Sequence, residues 1–202
     1  GLGVASSIAS AVETLTHQVF LPRFFAETHH ANRELREKCW FRLFRLLLPI
    51  HLLVAIGTIG FSAIILRLLA PDTYQSAALY LGIGALAELF RISGNLISLQ
   101  ALSNLKTRMT QVPYLIGAVS NVLLILATGW VAIANVIGHL AAMLALAVKF
   151  GLRNWIQLFD RRFFTIATVS AALLAPRLLS PSGEIGPLSL VLIAVASTIF
   201  GA

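Results

Sequence analysis

The residues best placed to do chemistry lie in the stretch YLGIGALAELFRISGNLISLQ, where Glu88 and Arg91 stand three positions apart inside an apolar run. On a helix this spacing puts both on one face, about a turn apart. Asn95 continues the stripe at helical spacing, and Gln100 does so approximately. Ionised groups at bilayer depth cost roughly 2.5–3.5 kcal/mol each on insertion scales, so they turn toward protein or water. Arg91 remains charged, because a guanidinium stays protonated at any ordinary pH. Glu88 is then its counter-ion or a site that takes up a proton. Two readings stand: a polar cavity that holds an anionic group or couples to ions, or a structural ion pair between helices.

Weaker polar sets accompany this one. Asn121, Asn135 and His139 lie in two later apolar runs, with Asn135 and His139 four apart and so on one helix face. Such side chains line a cavity or serve as packing contacts worth about 0.6 kcal/mol on average. Glu13 and His17, also four apart, face the bundle interior or lie at the interface. The neighbours His29 and His30 diverge by about 100° on a helix and have no third ligand near them, so no metal site is expected. Arg42 and Arg45 are candidates for lipid phosphates or, more simply, topology anchors with snorkelling stems. Gly82, Gly84 and Gly94 permit bending or close packing, and Pro49 is placed to kink its helix. Cys39 is the one cysteine, which excludes an internal disulfide and any cysteine-rich metal site. No phosphate-binding loop, dinucleotide fingerprint, zinc motif or nucleophile elbow is present, so neither an enzyme nor a cofactor is expected.

The elements that must position these residues are set by composition. Of the 202 residues, 58% are apolar and 11% charged, against about 45–50% and 25% in soluble domains. The mean hydropathy of +0.87 agrees. A soluble enzyme, a disordered tail and a disulfide scaffold are excluded. What remains is an all-α, polytopic transmembrane helix bundle, since a backbone in lipid must satisfy its own polar groups. Seven apolar stretches are expected to span: 3–21, 46–66, 74–97, 113–129, 131–148, 163–179 and one from about 187 to the end. The first is weakened by Glu13, Thr14, Thr16, His17 and Gln18. The fourth and fifth nearly meet at Trp130, which implies an antiparallel hairpin. The segment 27–45 reads as a cytoplasmic helix leading into the second span.

Orientation follows from charge. The formal charge of +7 would suggest nucleic acid in a soluble protein. Here alternating spans place twelve of the fifteen basic residues on one side, in 22–45, 98–112 and 149–162. Only Arg67 and Arg177 fall on the other side. That is the positive-inside pattern, with the C-terminus cytoplasmic; no nucleic acid is expected as a partner. Trp40, Trp130 and Trp155 are expected at the membrane interfaces. A first helix entering from outside, a Gly1 start without Met and an apolar run reaching Ala202 are all expected of a piece of a longer protein.

Three stretches together resemble the polysaccharide-repeat-unit, or O-antigen, flippases, relatives of the multidrug and toxic-compound extrusion (MATE) transporters. They are GLGVASSIASAVETLTHQVFLPRFFAE, LLAPDTYQSAALYLGIGALAELFRISGNLISLQALSNLKTRM and PYLIGAVSNVLLILATGWVAIANVIGHLAAML. The first ends a small-residue helix in an apolar-Pro step before a basic loop. The second has a short outer loop whose Tyr74 opens the next helix. The third is a hairpin with Asn121 in its first arm. The resemblance implies a bundle of about 14 helices in two lobes, with this chain supplying helices eight to fourteen. Residues 1–160 would be the C-terminal lobe and 161–202 two additional helices, with an N-terminal lobe missing. The whole protein would move a polyprenyl-pyrophosphate-linked oligosaccharide across the bacterial cytoplasmic membrane by alternating access, in the service of surface polysaccharide or lipopolysaccharide biosynthesis. Its substrate cavity would be lined by Arg91, with Glu88, Asn95 and Asn121 beside it. The alternative is a MATE-type drug or cation antiporter, which would use acidic residues. A lipid-embedded glycosyltransferase would need a large soluble loop, and the loops here are short. A membrane scaffold without transport is a third class.

Overall fold

The computed structural model describes residues 1–150, which belong to one compact unit. Among them are six α-helices and a 3-10 turn: α1 Leu2–Thr28, α2 Arg33–Gly60, α3 Ser62–Leu69, the turn Asp72–Ala77, α4 Ala78–Ser103, α5 Arg108–Thr128 and α6 Val131–Phe150. Local chemistry sets the boundaries. Asn32 caps α2 by accepting the Leu35 N–H at 2.9 Å, which satisfies one of the orphan donors of the first turn. Gly129, at φ 71°, closes α5, and its N–H bonds the Ile125 carbonyl; a left-handed residue after a helix is where glycine carries no steric penalty. Leu105, at φ 56°, makes the turn between α4 and α5, with Lys106 N–H bonding back to the Ala101 carbonyl.

Among the described residues, four helical segments are long and apolar enough to cross a membrane: Arg33–Gly60, Thr73–Ser103, Arg108–Thr128 and Val131–Phe150. Five of the seven expected spans fall among these residues, and the first of them, 3–21, is not one of the four. At 27 residues α1 is long enough, but Glu13, Thr14, Thr16, His17 and Gln18 dilute its apolar surface. The last two stretches, 163–179 and 187–202, and Trp155 lie outside the described residues. The segment 27–45 is not a helix of its own. Its start closes α1, a turn intervenes, and the rest continues as α2 through Pro49 to Gly60 without interruption. The chain breaks at Phe61 instead, so the stretch 46–66 is divided between α2 and α3.

Central to the arrangement is α4, which packs against α1, α2 and α6, while α5 packs mainly on α6 and touches α4 more lightly. Antiparallel α2 is locked to α4 at one end: Trp40 Nε1–H donates to the Leu96 carbonyl at 2.8 Å, and Arg36 Nη1 donates to the Ser103 carbonyl at 3.0 Å. Trp40 is 3% exposed. It is a buried strut between α2 and α4, whereas Trp130 is 65% exposed at the α5–α6 turn. The helix α1 runs parallel to α4, with Ala5 seated so close to Gly84 that a Cβ there would stand 2.9 Å away.

The outer surface supports the membrane reading. α5 buries only Pro113 and Gly117, while Leu115, Val119, Val122, Leu123 and Leu126 are exposed. In water so continuous an apolar face drives association; against lipid tails it is ordinary surface. Among the described residues the basic side chains gather where α1, α4 and α6 end and α2 and α5 begin. Arg67 alone lies at the opposite end.

Candidate functional site

Arg91 is the fourteenth of 26 residues in α4, about 20 Å from either helix end at 1.5 Å per residue. Its guanidinium binds two carboxylates at once. Nε donates to Glu88 Oε2 at 2.6 Å, as the spacing of three predicts, and Nη2 donates to Glu13 Oε2 of α1 at 2.7 Å. Asn95 Nδ2 donates to the other Glu13 oxygen at 3.0 Å, and Tyr114 of α5 donates to Asn95 Oδ1 at 3.0 Å. Short, charge-assisted contacts of this kind are the stronger class of hydrogen bond. The side chains of Glu13 and Glu88 are 12% and 14% exposed, and that of Arg91 is 26% exposed. The group is thus held between helices yet open at its cationic member.

Histidines surround the triad. His51 of α2 is 2% exposed and neither ring nitrogen has a hydrogen-bond partner; it lies within electrostatic reach of Glu13, His17 and Arg91. His139 of α6 is within similar reach of Glu88 and Arg91. A cavity of about 10 Å3 between α1, α2 and α4 touches His51, Thr58 and Glu88, room for about one water molecule. Every long helix therefore contributes a polar side chain to a single layer. With neutral imidazoles the layer carries two negative charges and one positive. It can exchange an ion-pair partner, accept a proton or attract a cation; a freely cationic pocket it is not.

Of the residues singled out in sequence, Glu88, Arg91 and Asn95 come together here. Asn121 does not join them. Its Nδ2 donates to Asn135 Oδ1 at 2.8 Å inside the α5–α6 hairpin, and its own Oδ1 is buried without a partner. Asn121 and Asn135 stand seven residues on either side of position 128. A hairpin centred on Trp130 would instead have set Asn121 level with His139, nine residues to either side. The larger omission is Glu13 as the second partner of Arg91, together with His51 and Tyr114. An acid near the middle of α1 and a base at the middle of α4 share a depth, which was the available signal.

Charged residues at the basic end are mostly paired. Glu27 holds Arg23 at 2.9 Å, Arg42 at 3.7 Å and accepts from Cys39 Sγ at 3.7 Å. The Arg23 hydrogen bond is the main reason that the Glu27 carboxyl titrates below its ordinary range. His29 and His30 share a hydrogen bond at 2.9 Å, and among the described residues no three His, Cys, Asp or Glu side chains converge to hold a metal ion. No family model, no curated protein and no solved structure matches the chain.

Proposed function

We propose that the chain is one lobe of a multi-pass transporter that moves a polyprenyl-pyrophosphate-linked oligosaccharide across the bacterial cytoplasmic membrane, its basic end facing the cytoplasm. The resemblance to the polysaccharide-repeat-unit flippases motivates this reading. The observation that carries it is Arg91: a mid-depth guanidinium, partly open, whose counter-ions come from two helices. Packing alone is a weak reason for an ion pair at this depth, because burying charges is costly and apolar substitutes of like volume are often as stable. In this reading a substrate phosphate displaces Glu13 from Arg91. The exchange keeps the guanidinium paired throughout and loosens α1 from α4. Lobe motion then follows the alternating-access pattern of transporters, in which charged groups near the midplane mark the binding site.

A second reading is favoured by Glu13. Two carboxylates against one guanidinium leave a net negative layer, which suits the cation-binding site of a MATE-type antiporter. Complementation separates the two. The full-length gene is expected to restore surface polysaccharide in a flippase-deficient strain, and Arg91→Ala to abolish that rescue at unchanged protein level. Undiminished rescue by the substituted gene overturns the role of Arg91. Rescue of drug efflux in place of polysaccharide establishes the antiporter.

A further inference from the structure

Several cations at the basic end of the bundle have partners. Lys38 pairs with Glu34 at 2.7 Å, Arg23 and Arg42 share Glu27, and Arg36 is fixed by the carbonyls of Ala31 and Ser103. Four others, Arg33, Lys106, Arg108 and Lys149, have no carboxylate within ion-pair distance among the described residues. Three of the four, Arg33, Lys106 and Lys149, line one cavity of about 320 Å3 between the start of α2, the α4–α5 turn and the end of α6, together with Glu37, Gln100 and Asn104. Among the described residues the lining holds three cations against one carboxylate, an excess of positive charge, and the amides of Gln100 and Asn104 add neutral polar groups to the wall.

We propose that this cavity binds a phosphate group, carried by an anionic lipid headgroup or by a soluble phosphate compound. The chemistry is complementary. The Arg33 fork matches two phosphate oxygens, and the lysines supply point charges from two further segments. Basic pockets between membrane helices on the cytoplasmic side are where such headgroups bind. The wider cavity lined by Lys38, Arg42 and Arg45 is the poorer candidate, because Lys38 and Arg42 already hold carboxylates. The site lies at the end of the bundle, remote from the mid-depth triad, so it stands or falls separately from the transport reading.

The test is lipid retention by the full-length protein in detergent, read by native mass spectrometry during titration with phosphatidylglycerol and, separately, phosphatidylcholine. Each cation near an anionic headgroup is worth about fivefold in affinity. Substituting R33Q, K106Q and K149Q together is expected to weaken phosphatidylglycerol binding roughly a hundredfold. The charge-conserving pair K106R and K149R, with Arg33 kept, should retain it, which separates loss of charge from loss of folding. R42Q with R45Q should change it by less than about fivefold. Inorganic pyrophosphate that displaces the lipid identifies a site for soluble phosphates as well, while failure to displace it assigns the site to headgroups; either result supports the proposal. Unchanged phosphatidylglycerol binding in the triple glutamine variant, or an equal loss in R42Q with R45Q, overturns it.

Discussion

Around α4, helices are joined by charge and directed hydrogen bonds: the Glu13–Arg91–Glu88 triad at mid-depth, with Trp40 and Arg36 closing one end. The α5–α6 hairpin is joined differently. A Cβ on Gly117 would stand 2.6 Å from that of Ala142 and 2.7 Å from the Gly138 carbonyl oxygen, and one on Gly138 would stand 2.8 Å from that of Asn121. The two backbones touch because side chains are missing between them, the small-residue packing used where lipid offers no hydrophobic drive. At mid-depth the first interface rests on an ion pair that can exchange partners, although Ala5 and Gly84 pack closely toward one end. The second rests on close backbone packing along the hairpin. A moving part of this protein is therefore expected between α1 and α4, and a rigid one in the hairpin.

The largest effect should come from removing the shared cation. Arg91→Met leaves Glu13 and Glu88 facing each other without a counter-charge. Loss of one partner from a buried ionic group costs about 3 kcal/mol or more, a fall of about 10 °C in the apparent Tm of a chain this size. Glu13→Gln should cost under about 1 kcal/mol: it leaves a neutral Glu88–Arg91 pair, and the Gln carbonyl still accepts a hydrogen bond. The asymmetry is the test. Thermal unfolding of the two full-length variants in the same detergent should separate them by several degrees. Equal losses would mean that Glu13 and Glu88 are not both bound to Arg91, and the contrast between the two interfaces would lose its basis.

Next in size is the hairpin. Gly117→Val forces methyl groups into a gap that has no room for one, and overpacking of this kind costs about 1–3 kcal/mol. Gly82→Ala is the matched control, since its nearest contact would be Ile59 at 3.8 Å, an ordinary van der Waals distance. It should leave the apparent Tm unchanged. A harmless Gly117→Val would show that the hairpin yields, which removes the distinction between a rigid and an exchangeable interface.

What could be read in the sequence follows from range. Glu88, Arg91 and Asn95 share a helix, so a period of 3.6 residues was enough to place them on one face. The hairpin was legible because Trp130 leaves so short a connection between two apolar runs. Glu13 was visible as an acid in an apolar stretch, but its contact with Arg91 crosses 78 residues and depends on α1 lying parallel to α4, which no local pattern encodes. The burial of Trp40 was not legible for a related reason. Composition puts a tryptophan near a membrane surface at the interface, while its burial is decided by α4 passing beside it. The division of 46–66 at Phe61 escaped notice because its residues stay apolar across the break, and periodicity registers polarity rather than backbone angle.

The smallest effect expected is also the one most able to unsettle the comparison. Asn121→Ala removes the hydrogen bond to Asn135 Oδ1, and with it a buried carbonyl oxygen that has no partner. Polar contacts between membrane helices average about 0.6 kcal/mol, and deleting an unsatisfied acceptor offsets part of that loss. The net change should lie within about 0.5 kcal/mol, or about 1–2 °C in apparent Tm. Because Asn121 lies outside the Arg91 layer, the transport proposed for the full-length protein should persist in the variant. A loss of transport at unchanged stability would return Asn121 to the substrate path. The hairpin would then be part of the working cavity, and the geometry of the α5–α6 contact would have to change during the cycle.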